Sequence, residues 1–188
     1  MKGLFFTELV ELVETDYGFA VLDQVIRTAV PPTDGVYTSM CSYNAEEFFG
    51  LVEALAVDMK QPSSTFLRSF GRHFFRCLLD RNEKLLDNYS SAIKALQDVN
   101  ELVRATRIFS FEHRPPKAEF AEVGPAAWQL TIRTKLPVQD IILGALEACI
   151  ARYGEPLEVS RTDVQTDNTI TTRFDITPKA PSCLTTFK

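Results

Sequence analysis

The stretch Tyr89-Ser90-Ser91-Ala92-Ile93-Lys94-Ala95-Leu96-Gln97-Asp98-Val99-Asn100-Glu101-Leu102-Val103-Arg104-Ala105-Thr106-Arg107 sets the terms for the whole chain. Its apolar residues Ile93, Leu96 and Val103, with Ala92 and Val99 beside them, recur at helical spacing, so the run predicts an amphipathic helix capped by Asn88. Asn100 falls on the apolar stripe, four residues after Leu96 and three before Val103. A carboxamide in that position costs about 1–3 kcal/mol unless it is hydrogen-bonded. Backbone amides and carbonyls, or an ordered water, are the expected partners.

Outward from this stretch, the preceding residues also read as helical. Leu4, Phe5, Leu9, Leu12 and Val13 form the face of an opening helix that ends near Tyr17-Gly18, and a second helix runs from Phe19 to Ala29. Pro31-Pro32-Thr33-Asp34-Gly35 is a turn segment. Asn44 is placed to cap a helix whose first turn carries Glu46 and Glu47 at the positive end of its dipole. Pro62-Ser63-Ser64 opens the next, in which Phe66, Phe70, Phe74 and Leu78 recur every four residues.

After Ile108 the pattern changes. Ala127, Gln129, Thr131 and Arg133 alternate with Trp128, Leu130, Ile132 and Thr134, the signature of a half-buried strand. A helix follows from Val138 to Tyr153, stopped by Gly154. Glu158–Val164 and Thr169–Ile176 predict a hairpin around Thr166-Asp167-Asn168. Helices first, then strands with one long helix laid on an antiparallel sheet, define an α+β domain. The expected division is a helical part over 1–107, a sheet part over 108–178, and a tail over 179–188.

The chain has 188 residues and a net charge of −5, enough for one sizeable core and without the basic patch that a nucleic-acid partner requires. No apolar run approaches the ~18 residues of a membrane span, and the first residues lack a signal-peptide pattern, so a cytoplasmic, membrane-free protein is expected. Cys41, Cys77, Cys149 and Cys183 are too far apart for a zinc knuckle or a Cys-x-x-Cys site. Cys77 and Cys149 read as small apolar core residues. No phosphate loop, nucleophile elbow or metal-spaced His/Glu cluster occurs, and Asp98 and Glu101 read as a solvated helix face, so no enzyme is expected. Arg72, Arg76 and Asp80 read as surface ion-pair partners.

Several short motifs fall in a recognisable order: Met1-Lys2-Gly3, Gly35-Val36-Tyr37 ahead of Asn44, Phe70-Gly71-Arg72, Pro115-Pro116, and Arg152-Tyr153-Gly154-Glu155-Pro156. In this order and spacing, across essentially the whole length, the chain resembles the heme-nitric oxide/oxygen-binding (H-NOX) sensor family. That resemblance implies a helical part packed on a sheet part with a cavity between them. It also implies a b-type heme held by a histidine at the position of Asn100 and clamped by a Tyr-x-Ser-x-Arg motif. Here the clamp positions read Ile132, Thr134 and Leu136, so only one hydroxyl remains.

The remaining pocket positions that the resemblance assigns are Phe5, Leu9, Phe74, Leu78, Leu96, Pro115, Pro116 and Ile141. Ile141 stands where oxygen-binding members carry a distal tyrosine. A heme is therefore not expected, and the cavity holds an apolar small molecule, another tetrapyrrole or only side chains. The alternative is a heme-binding nitric oxide sensor with a non-standard axial ligand, for which the sequence offers His73, His113 and Cys77. His73 points away from the phenylalanine face and reads as solvent-facing. A carboxamide is a poor iron ligand beside imidazole or thiolate. The resemblance implies a bacterial-type regulator acting on a protein partner such as a histidine kinase, a diguanylate cyclase or a phosphodiesterase.

Overall fold

The computed structural model describes residues 1–106 and 118–180. Four helices come first: α1 (Gly3–Tyr17), α2 (Phe19–Ala29), α3 (Ala45–Met59) and α4 (Ser63–Arg81). Gly18 separates α1 from α2, and the Asn44 side chain accepts from the Glu46 amide at the head of α3, as the capping pattern predicts. Glu47 has a further use. Its carboxylate accepts from Tyr37 Oη at 2.9 Å and from the Thr33 amide at 3.3 Å, which pins the proline-rich turn to α3.

The stretch around Asn100 is not one continuous helix. It forms α5 (Ala92–Gln97) and α6 (Val99–Ala105), interrupted at Asp98. The cap is Ser91 rather than Asn88, with the Ser91 hydroxyl accepting from the Lys94 amide. Glu155 satisfies a second orphan amide there by accepting from Ala92 N at 3.2 Å. Across the break, Val99 and Leu102 of α6 join Ile93 and Leu96 of α5 against the sheet-side core, although no residue of α6 is fully buried.

The sheet contains β1 (Ala118–Gly124), β2 (Ala127–Thr134), β3 (Leu157–Thr166) and β4 (Thr169–Pro178), antiparallel throughout, in the order β1-β2-β4-β3. The alternation over 127–134 and the hairpin at Asp167-Asn168 lie where the sequence predicts them. Strand β1 does not follow from the alternation rule, because Ala118-Glu119-Phe120-Ala121-Glu122 carries small and acidic residues on an exposed edge. Between β2 and β3 lies α7 (Gln139–Tyr153), closed by Gly154 in the left-handed region.

Buried side chains gather into two clusters. The helical cluster contains Phe6, Leu9, Phe48, Leu55, Phe66, Phe70 and Phe74 and takes in Ile141 from α7. The sheet cluster contains Leu86, Leu96, Leu130, Ile132, Leu146, Cys149, Phe174 and Ile176. Helix α7 therefore serves both: beyond lying on the sheet, it runs along α4. A Cβ added at Gly71 would stand 2.0 Å from the Ile141 carbonyl oxygen, and one at Gly144 would stand 2.0 Å from that of Arg68. Only glycine permits this backbone approach from both sides. Glu147 of α7 fastens the crossing by accepting from Arg68 and from Arg72 at 2.9 Å. Arg72 thus pairs across the helix crossing rather than along α4 with Arg76 and Asp80.

Candidate functional site

Asn100 lies half-buried on α6 with both ends of its carboxamide occupied. Its Nδ2 donates to the Ala118 carbonyl at 2.8 Å, and its Oδ1 accepts from the Ala118 amide at 3.2 Å. The side chain behaves as one residue of an extra strand, pairing with the first described residue of β1. This accounts for a polar group on an apolar stripe: its partners are backbone groups, as expected.

The other positions singled out by sequence fall in different parts of the core. Phe5, Leu9, Phe74, Leu78 and Ile141 pack within the helical cluster. There the Phe5 and Phe74 rings stack at 4.3 Å between centroids, and Phe70 and Phe74 stack at 5.5 Å. Leu96 and Ile132 belong to the sheet cluster. Thr134 is half-buried and its hydroxyl accepts from the Leu136 amide at 3.1 Å, closing the turn after β2, while the Leu136 side chain is exposed. Pro115, Pro116 and His113 lie outside the described residues, as does Cys183.

A polar group that the sequence reading missed sits against the helical cluster. Glu8 of α1 is only 3% exposed. Its carboxylate meets Arg81 Nη2 at 2.8 Å and His73 Nε2 at 3.2 Å, and Arg81 Nε lies 3.2 Å from Cys77 Sγ. Burial pushes the Glu8 carboxyl up, but hydrogen bonds from Cys77, Arg81 and His73 and the Arg81 charge outweigh it and hold the pKa below the usual value. The same surroundings push the Cys77 thiol up to about 11, chiefly through desolvation. His73 is thus tied to Glu8 rather than solvent-facing, and Cys77 belongs to a polar cluster rather than the apolar core. The available signal was Glu8 itself, which falls on the same α1 face as Leu4 and Leu12.

Three buried polar atoms lack a partner among the described residues: Tyr153 Oη, Glu155 Oε2 and Thr172 Oγ1. All three lie in the sheet half. Thr172 is Ile132's register partner on β4. Of the hollows among the described residues, one of about 10 Å³ lies under Leu9, Val13, Leu22 and Leu51. A wide surface hollow of about 520 Å³ lies along Asp80–Leu85. Among the described residues no group of three His, Cys, Asp or Glu side chains is arranged to hold a metal ion, and no helix is long and apolar enough to cross a membrane.

An α+β architecture with its helical layer closed on an antiparallel sheet through α7 is the architecture of H-NOX sensor domains. Residues 2–161 match the model of the haem-NO-binding family, and the chain belongs to that family. The Fe(II) unliganded H-NOX protein from K. algicida superposes with a TM-score of 0.86 at 23% identity, covering 97% of this chain and 98% of that one. The I5F mutant of T. Tengcongensis H-NOX superposes with a TM-score of 0.83 at 18% identity, covering 97% of this chain and all 100% of the other. At these identities the likeness is one of fold. No match was found among curated proteins.

Proposed function

We propose that this domain is a regulatory module of the H-NOX type with a degenerate heme site, acting through a protein partner and without enzymatic activity of its own. The observation that carries the proposal is the double hydrogen bond between Asn100 and the Ala118 backbone. At the position that the family resemblance assigns to the axial histidine, both polar atoms of the side chain are already committed, and neither is a strong donor to iron.

The surrounding residues do not fit a heme either. Ile132 offers no hydroxyl and is packed in the core, and Leu136 offers no guanidinium for a bidentate grip on a propionate. On the helical side, the stacked Phe5 and Phe74 rings and the buried Ile141 supply no hydrogen-bond donor for a bound gas. Cys77 is held as a neutral thiol and His73 is engaged by Glu8, so neither is a ready substitute ligand. The occupant of the family's cavity is then an apolar small molecule or the side chains themselves. The output passes to a partner of the kinase, diguanylate cyclase or phosphodiesterase kind. A single domain over 1–178 in the cytoplasm suits this role.

Rebuilding the site tests this reading. Heme uptake by Asn100→His should remain far below stoichiometric, because the propionates stay unclamped. The combined Asn100→His, Ile132→Tyr, Thr134→Ser and Leu136→Arg variant should take up more. Stoichiometric uptake by the single variant would show that the missing clamp is unimportant, and uptake by the unaltered chain would overturn the proposal.

A further inference from the structure

The two edges of the sheet are treated differently. On the β1 edge, Ala118 is sealed by the Asn100 carboxamide, α5 and α6 pack against the strand, and the register shifts between Glu122 and Gly124. A bulge and a covering element are standard ways to keep an edge from recruiting another strand. The β3 edge also has a helix beside it, α7, but it has no register shift and no side chain bonded to its outer backbone among the described residues. It pairs with β4 without a shift over Leu157–Thr166, contains no proline, and is exposed at every residue from Ser160 to Thr166.

Which backbone groups face outward follows from the hairpin. A two-residue turn, Asp167-Asn168 with Asp167 at φ 51°, makes Thr166 and Thr169 the closing pair. In such hairpins the closing residues exchange both backbone bonds. Alternation then turns the N–H and C=O of Val159, Arg161, Asp163 and Gln165 away from β4. The side chains of Arg161 and Asp163 share one face, where Arg161 Nε lies 3.1 Å from Asp163 and Nη1 lies 2.6 Å from Asp140 of α7.

We propose that β3 is a self-association edge: two copies of this chain pair antiparallel through β3 about a two-fold axis at Thr162, continuing the four-stranded sheet across the dimer. Charge selects this register. Axes at Arg161 or Asp163 would set like charges directly opposite each other, which is destabilising. The axis at Thr162 places Arg161 opposite Asp163 of the second copy, twice, and completes a square of alternating charges with the Arg161–Asp163 contacts already present. It also opposes Val159 to Gln165, so all the outward groups find partners. Shifting the axis by two residues either way shortens the ladder and breaks both Arg–Asp pairs. The interface is small, so the dimer is weak and concentration-dependent.

Sedimentation velocity of the 188-residue chain over about 10 μM to 1 mM tests the association. The expected result is a monomer–dimer equilibrium that Gln165→Pro abolishes, since proline removes an outward N–H while leaving the β4 ladder intact. A chain that stays monomeric throughout, or a dimer that survives Gln165→Pro, would overturn the proposal. The register has its own test in a background with Cys41 and Cys183 replaced by Ser. Thr162→Cys on the axis should form a disulfide-linked dimer under mild oxidation, because a non-hydrogen-bonded pair lies within disulfide reach. Ser160→Cys should not. Equal cross-linking of the two variants, or none in either, would overturn the assignment even if Gln165→Pro failed to fold.

Discussion

The two halves of this molecule solve the same packing problem differently. In the helical half the core is aromatic: rings from α1, α3 and α4 and the Tyr37–Tyr43 loop meet edge-on or stacked, with Phe6, Phe48 and Phe70 fully buried. Its one buried carboxylate, Glu8, is bonded by side chains from α4. In the sheet half the buried core is mostly aliphatic, with Phe174 as its one fully buried ring among the described residues, and it alone among those residues holds buried polar atoms without partners. Such atoms are rare in native cores and usually mark a place for ordered water or a ligand. The contrast teaches that, among the described residues, the helical side pairs its buried polar side-chain atoms, whereas the sheet side leaves three of them without a partner.

If the helical half is the closed one, cutting into it should cost the most. Phe70→Ala removes a fully buried ring contacting Phe5, Phe48 and Phe74, and chemical denaturation should report a loss of about 3–5 kcal/mol. A much smaller loss would mean that the aromatic cluster is loosely packed and the two halves are alike. The junction comes next. Gly144→Ala pushes a methyl group into the Arg68 carbonyl, and the α4–α7 crossing should lose about 2–3 kcal/mol. An unchanged melting temperature there would show that the halves are not held by this contact.

Glu8 supplies a pH-dependent version of the same comparison. Its folded-state pKa is depressed, so its stabilisation is present above the unfolded value and is lost as pH falls through the folded one. Glu8→Gln should cost about 1–3 kcal/mol at neutral pH and flatten the acid limb of the stability profile. An acid limb identical to that of the parent would remove Glu8 from the account. The smallest effect belongs to the sheet side. Asn100→Leu leaves the buried Ala118 backbone without its two partners, for a loss of about 1–2 kcal/mol, and amide exchange at Ala118 should accelerate. A neutral or stabilising result would mean that water or other groups replace the carboxamide.

Much of this arrangement was legible in the residues. Helices α1 to α4, the β2 alternation, α7 with its Gly154 stop and the β3–β4 hairpin all follow from periodicity, caps and turn residues, because each is a local preference that tertiary packing reinforces. The misses are tertiary. The interruption at Asp98 has no periodic signature, because apolar residues recur at helical spacing on both sides of it and Val99 and Leu102 still pack on the sheet-side core. Strand β1 is held by pairing with β2 and by Asn100, with little intrinsic strand preference of its own. His73 and Cys77 were misread because their environment is made by Glu8, which lies on another helix. At the candidate site the resemblance picked out Asn100, Ile132 and Leu136, and the need for backbone partners at Asn100 was readable from its place on the stripe. That Ala118 would supply them was not, since the two residues are brought together only by the fold.

The central proposal is that in this member of the haem-NO-binding family a backbone tether at Asn100 stands where the family resemblance places the iron ligand. Its most direct test is the absorbance spectrum of the protein purified from cells supplied with heme. The account predicts no Soret band above that of unspecifically adsorbed heme. A Soret band corresponding to one heme per chain, persisting through gel filtration, would contradict it.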